Sequence, residues 1–292
     1  TLGLTATNWT LPGGTIDITN NAIVNLGGNF DTATFEVLNP TSSTLNLTGN
    51  LDNSNDILTL TPTTGDLTFK GGQILGGTLR TAGGSFLWDG NATFDGVVLD
   101  TNLAVDNART LTIKNDLTLG GATVTNPTIT LGSTGSTTTL AFSGAGQTLG
   151  GTGTIDMSTS PNNNNRVIAN NSGTTTIGSN VTIVGGGTVG NNSAAWLVDL
   201  QGTIRATDAG RTTTVFNVTN NGTLESLNGS TLNLSGSTFT NNSTLTANNS
   251  TLGLTATNWT LPGGTIDITN NAIVNLGGNF DTATFEVLNP TS

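Results

Sequence analysis

The chain contains no cysteine, no histidine and no tyrosine. Without cysteine there is no disulfide framework and no thiolate metal site. Without histidine, Ser-His-Asp triads and imidazole-ligated metals are excluded. Charge is scarce as well: 9% of the 292 residues are charged, and the balance is −11. Nucleic-acid surfaces are read by basic patches, so this balance argues against such a partner, and against anionic membranes. No apolar run approaches the ~18 residues of a membrane span. No charged segment followed by an apolar one marks a targeting peptide. The chain opens on Thr1 rather than Met, so a preceding segment is expected. Hydrophobic residues make up 34%, low for an enzyme of this length.

What fills the space is threonine, asparagine, serine and 40 glycines. Such a composition could stay disordered, but Leu, Ile, Val and Phe recur regularly, which disordered chains avoid. The larger regularity is a repeat. Residues 251–292 are identical to residues 1–42, an offset of 250. This reads as a tandem array: residues 1–250 form one unit and residues 251–292 begin the next. The NNSTL motif falls on both sides of residue 250 with no Pro- or Ser-rich linker. The expectation is a structure that runs through the junction without a cap.

The local rule has a beat of seven. Leu2, Trp9, Ile16, Ile23, Phe30 and Val37 follow one another at that spacing. Several have an apolar partner two residues away, as in Leu2/Leu4, Trp9/Leu11, Ile16/Ile18 and Phe35/Val37. An i, i+2 pair shares one face of a strand. A coiled coil also has a seven-residue beat, but it needs helix formers and charged flanks. The Pro12 and Gly-Gly corners found here cost a helix roughly 3 and 1 kcal/mol per residue. Later pairs, among them Leu45/Leu47, Phe86/Trp88, Leu111/Ile113 and Leu232/Leu234, extend the strand pattern. Gly and Asn between them supply the positive φ that corners require. The seven-residue series, with Ile18, Leu45 and Leu47, is the expected core.

Paired asparagines set the size of a coil. Asn170-Asn171 precede Asn191-Asn192 by 21 residues, Asn220-Asn221 precede Asn241-Asn242 by 21, and Asn248-Asn249 precede Asn270-Asn271 by 22. Three beats of seven make one such coil. The expected fold is therefore all-β: a three-sided parallel β-helix (β-solenoid) of roughly 21 residues per coil, with asparagine ladders at its corners. A unit would hold about 12 coils and span about 57 Å at the interstrand spacing.

The phrases GGTL, ATFDGVVL and TLTI in residues 76–121, and QTLGGTGTI at 147–155, resemble bacterial β-strand-repeat surface exoproteins. These are the filamentous-haemagglutinin-like and autotransporter-passenger-like proteins. The resemblance implies a right-handed parallel β-helix, export to the cell exterior, and a role as fibre or adhesin. The expected function is a structural repeat of a long extracellular β-solenoid filament, with no enzymatic activity and no cofactor. Its expected partners are further copies of the unit end to end, together with lateral fibre contacts or extracellular polysaccharide. The alternatives are the stalk of a large adhesin and, last, a carbohydrate-active β-helix.

Candidate chemistry is confined to one acidic stretch: Asp89, Asp95, Asp100, Asp106 and Asp116, with Arg109 and Lys114. Asp95 and Asp116 are 21 apart, a spacing that would stack them on adjacent coils as oxygen ligands for Ca²⁺. Polysaccharide-cleaving solenoids would use such carboxylates with a base. Solvated corners with weak ion pairs account for the same residues more simply. GGTGTIDMS at 150–158 departs from the Ca²⁺ nonapeptide, because Ile155 stands where Asp is needed and no second copy is stacked on it. The GGG at 185–187 lacks the lysine and helix of a phosphate loop. TTT runs at 137–139, 174–176 and 212–214 are not spaced by whole coils, as an ice-ordering array would require. Sequons at Asn8, Asn91 and Asn180 are expected by chance in so Asn- and Thr-rich a chain.

Overall fold

A computed structural model describes residues 1–158, 163–170, 172–282 and, as backbone, 288–290. The chain winds as a β-solenoid of about 13 turns with ~21 residues per turn, and its strands pair in parallel with those one turn away. Each turn contributes to three walls. The first wall is entered at Leu2–Leu4, Ile23–Leu26, Thr44–Leu47, Leu67–Phe69 and Phe86–Trp88, which pair in that order. The second runs from Asn29–Asp31 through Asn50–Asp52 and Gln73–Leu75 to Ala92–Leu99. The third begins with Ile16–Ile18 on Leu38–Pro40. It continues with Ile57–Leu60, Thr78–Thr81 and the second half of Ala92–Leu99.

The walls form because most strands alternate buried and outward residues, although a few, such as Thr138–Phe142, are buried throughout. Ile57–Leu60 buries Leu58 and Leu60, Thr110–Leu119 buries Leu111, Ile113, Leu117 and Leu119, and Thr231–Asn241 buries Leu232 and Leu234. Inward residues from all three walls meet along the axis as one apolar core. Its aromatic cluster sits where the first and second walls meet: Phe69 stacks on Phe86 at 5.5 Å, leans on Trp88 at 4.9 Å and meets Phe94 edge-on at 5.6 Å.

Four long strands, Ala92–Leu99, Thr110–Leu119, Thr212–Asn220 and Thr231–Asn241, bend from the second wall into the third, and Thr148–Asp156 bends from the third into the first. At Thr212–Asn220 the bend falls on Asn217, at φ +51°, with a register shift between Phe216 and Val218. Asn217 is buried, yet satisfied. Its amide donates to the carbonyls of Asn191 (2.8 Å) and Ser193 (2.9 Å), and its oxygen accepts from the Ser237 N–H (2.7 Å). Asparagine thus supplies the left-handed backbone and pairs the groups that the bend releases.

Three expectations are corrected, the first being Leu2, an expected core residue that is 44% exposed. Ile23 is not core: it is 42% exposed, its second copy Ile273 is 59% exposed, and Val24 and Leu26 fill the wall instead. Strand alternation forces this choice, because Ile23 and Val24 cannot face the same way. Phe35/Val37 is not a strand pair either. Thr32–Glu36 forms a short helix across the corner, capped by Asp31, whose carboxylate accepts from the Thr34 N–H at 2.8 Å. Phe35 is fully buried from that helix while Val37 is only half-buried. Of the remaining series, Phe30, Ile18, Leu45 and Leu47 are buried, and Trp9 and Ile16 are half-buried.

Strands on either side of residue 250 pair directly. Thr231–Asn241 is in register with Thr251–Leu254 and, further along, with Asn258–Thr260. Thr244–Asn248 pairs with Thr265–Thr269.

Candidate functional site

The acidic stretch falls on two successive turns. Asp95 is on the outer face of the second wall, and its register partner one turn on is Lys114, not Asp116. The local turn is 19 residues long, and a bulge follows Asp95, so the 21-residue spacing does not stack the two aspartates. Asp95 accepts instead from the amides of Gln73 (3.0 Å) and Asn115 (2.6 Å). Asp116 takes positive φ at the corner, where its carboxylate accepts from the Thr148 N–H at 2.6 Å and its own N–H donates to Gln147 at 2.9 Å. These are corner-fixing bonds rather than an open ligand set.

Asp89 is a surface group between two cations, 2.7 Å from the Lys70 Nζ and 4.0 Å from Arg109. The Lys70 hydrogen bond and charge hold its carboxyl below the ordinary range. Asp106 is exposed. Asp100 differs from all of these, being wholly buried. Burial opposes its ionisation, but the Val124 N–H, Arg80 and the Thr123 N–H together outweigh that penalty and keep its pKa below the usual value. The Arg80 guanidinium donates to it at 2.6 and 3.0 Å, and the N–H groups of Val124 and Thr123 at 2.5 and 3.0 Å. One carboxylate thereby ties the third wall at Arg80 to the loop that follows Gly120 and Gly121.

Asp100 gives a pH-dependent prediction. Its folded pKa lies below the unfolded one, so its contribution is present above the ordinary carboxylate pKa and is lost as pH falls through the depressed value. Asp100→Ala should cost ~2–4 kcal/mol, because it strands a half-buried guanidinium and two N–H donors. Hydrogen exchange at residues 120–127 should rise in the variant at neutral pH, and the difference from the parent should shrink on acidification. Unchanged exchange would remove Asp100 as the clamp.

The other motifs resolve as structure. Ile155 is fully buried, and Asp156 accepts from the Ser158 N–H (2.8 Å) and hydroxyl (2.6 Å). The runs at 137–139 and 212–214 share the second wall but stand three turns apart, the run at 174–176 lies on the third, and Thr138, Thr175 and Thr213 point inward, so no flat threonine array forms. A surface crevice lined by Thr81, Ser85, Phe86, Asn102, Ala104 and Thr130 carries no charged side chain. Among the described residues no group of three or more Asp or Glu is placed to hold a metal ion. No helix among them is long and apolar enough to cross a membrane.

The asparagine ladders are the repeated chemistry of the surface. At the paired positions the two side chains part company, as neighbours on a strand must. Asn220 and Asn241 face inward, buried, bonded to each other at 2.6 Å and to the carbonyls of Thr244 and Thr265. Asn221 and Asn242 face outward and form a file with Asp199 at 2.7 and 2.9 Å. Asn270 donates to Asn248 at 2.9 Å. Of the remaining expected pair, Asn171 lies outside the described residues. Another ladder was not singled out from sequence: Asn8, Asn29 and Asn50 join at 2.9 and 2.8 Å on the second wall. Single asparagines 21 residues apart were its signal.

Comparison with known proteins finds no matching family model, no matching curated protein and no matching solved structure.

Proposed function

We propose that this chain is a structural segment of a long extracellular β-solenoid filament in which 250-residue units stack end to end through continuous backbone ladders. The supporting observation is the complementary exposure of the two identical 42-residue copies. Leu2 is 44% exposed, but its copy Leu252, lying on Thr231–Asn241, is 0% exposed. Trp9 is half-buried and Trp259 buried. The reverse holds further along: Phe30 is 4% exposed under the turn that follows it, whereas Phe280 is 40% exposed. At these positions the copy with a turn stacked on it buries the side chain, so a unit stacked on an identical segment would cover the same residues. Covering the row removes unpaired strand edges, which otherwise invite uncontrolled pairing.

A scarcity of charge, a polar Thr and Asn exterior and the absence of a gathered reactive cluster among the described residues favour a mechanical role over catalysis. An adhesin stalk would share this physics and differ in what it carries. The test is length. Inserting one further 250-residue unit should lengthen the rod by about 54 Å, from its turns at ~4.8 Å each. Electron microscopy of the two chains reads the increment. A second globule or a flexible joint in place of added rod would sink the proposal.

A further inference from the structure

The two identical segments do not occupy the same walls. Leu2–Leu4 and Ile23–Leu26 pair in the first wall, whereas their copies, Thr251–Leu254 and Ile273–Leu276, pair in the second. Asn8 bridges Asn29 in the second wall, whereas Asn258 pairs with Thr238 in the third. Ile16–Ile18 pairs with Leu38–Pro40 in the third, whereas Thr265–Thr269 lies between Thr244–Asn248 and Leu288–Pro290 in the first. All three walls shift by one, in the same sense.

The second wall makes the count secure, because its ladder is unbroken. From Asn29–Asp31 it passes rung by rung to Ile273–Leu276 in eleven steps. The copy of Asn29 is Asn279, one wall beyond the last of these rungs, where it bridges Asn258. We infer that each 250-residue unit advances the solenoid by eleven and one-third turns, so that in an array the same surface steps to the next wall with every unit. Only after three units, or 34 turns, does a feature return to its starting wall, a period of about 163 Å at ~4.8 Å per turn.

The consequence for the filament rests on the tandem reading above. A unit of whole turns would line up its loops and its outward ladders, such as Asp199–Asn221–Asn242, on one side. A unit with a one-third remainder presents them on all three walls in rotation. Such a fibre has no preferred side, and any lateral contact made by one unit is offered in three directions.

The chain has no cysteine, so paired markers can be placed cleanly. Thr10 and Thr260 are the same residue of the repeat, and both are exposed. In a Thr10→Cys/Thr260→Cys variant of the 292-residue chain carrying maleimide gold clusters, cryo-electron tomography should show two clusters about 54 Å apart along the axis and on adjacent walls. In a chain lengthened by one unit, a third cluster should appear on the remaining wall. Clusters in line on a single wall would overturn the inference. A lengthened chain that breaks or bends at its second junction would overturn the tandem reading, while the two-cluster result still decides the wall step.

Discussion

Aspartate at Trp259 will destabilise the chain by ~4–5 kcal/mol, and aspartate at Trp9 by about half as much, although the flanking sequence is the same. Locally the two indoles are held alike. Each Nε1 donates at 2.8 Å, Trp9 to the Gly27 carbonyl and Trp259 to that of Gly277. Each ring sits 4.6 Å from a phenylalanine on the following turn, Phe30 or Phe280. Only Trp259 has a turn beneath it, with Phe239 in register, and it is 1% exposed. A carboxylate there would be buried without a partner, whereas at Trp9 it could still reach water. Solenoids unfold by neighbouring turns rather than strictly all at once, so the readout is hydrogen exchange in the strands above and below each site. Equal effects at the two positions would mean that the stacked turn adds little, and the case for unit-on-unit stacking would fail with it.

Alanine at Gly222 is the second large expectation, a loss of ~3 kcal/mol with no change in polarity or charge. A Cβ there would stand 2.1 Å from the Gly202 carbonyl oxygen and 2.6 Å from the Gln201 carbonyl carbon. Both obstacles are backbone, so no side chain can swing aside. Gly202 is set against the turn beneath it in the same way, 2.3 Å from the Val181 oxygen and 2.4 Å from that of Gly178. The corner between the third and first walls is thus a column of glycines nested by close approach, one turn on the next. Gly14→Ala is the control: nothing lies within 4 Å of its Cβ, and its φ is not positive. It should change stability by less than ~0.5 kcal/mol. Thermal unfolding of the two variants distinguishes a corner that needs space from one that merely tolerates glycine. A Gly222→Ala protein as stable as the Gly14→Ala protein would refute the nesting.

Much of this architecture is written locally. An i, i+2 pair such as Leu111/Ile113 or Leu232/Leu234 reports a wall because strand geometry admits no other arrangement. An Asn or Gly between walls reports a corner because few residues accept positive φ. The asparagine ladders at 220–221/241–242 and 248/270 follow from a spacing near one turn. The acidic stretch was equally visible as composition, and its chemistry was not. Asp95 meets Lys114 rather than Asp116, and Asp100 rather than any surface carboxylate becomes the buried clamp, because the turns there have lengths of their own.

Those lengths are what the residues by themselves leave open. Ala92 pairs with Leu111 after 19 residues, whereas Ile113 pairs with Phe142 after 29. A corner can absorb extra residues at small entropic cost, since loop closure grows only slowly with length. The strands on either side still carry their i, i+2 apolar pairs, Leu111/Ile113 and Leu140/Phe142, and give no sign of the insertion. The repeat of 250 residues, the strand-and-corner alphabet and the outward polar surface were therefore determined by sequence alone. Which residues meet across turns, and the one-third turn left over in each unit, were decided only when the ladders closed, because register depends on the sum of every corner along the chain.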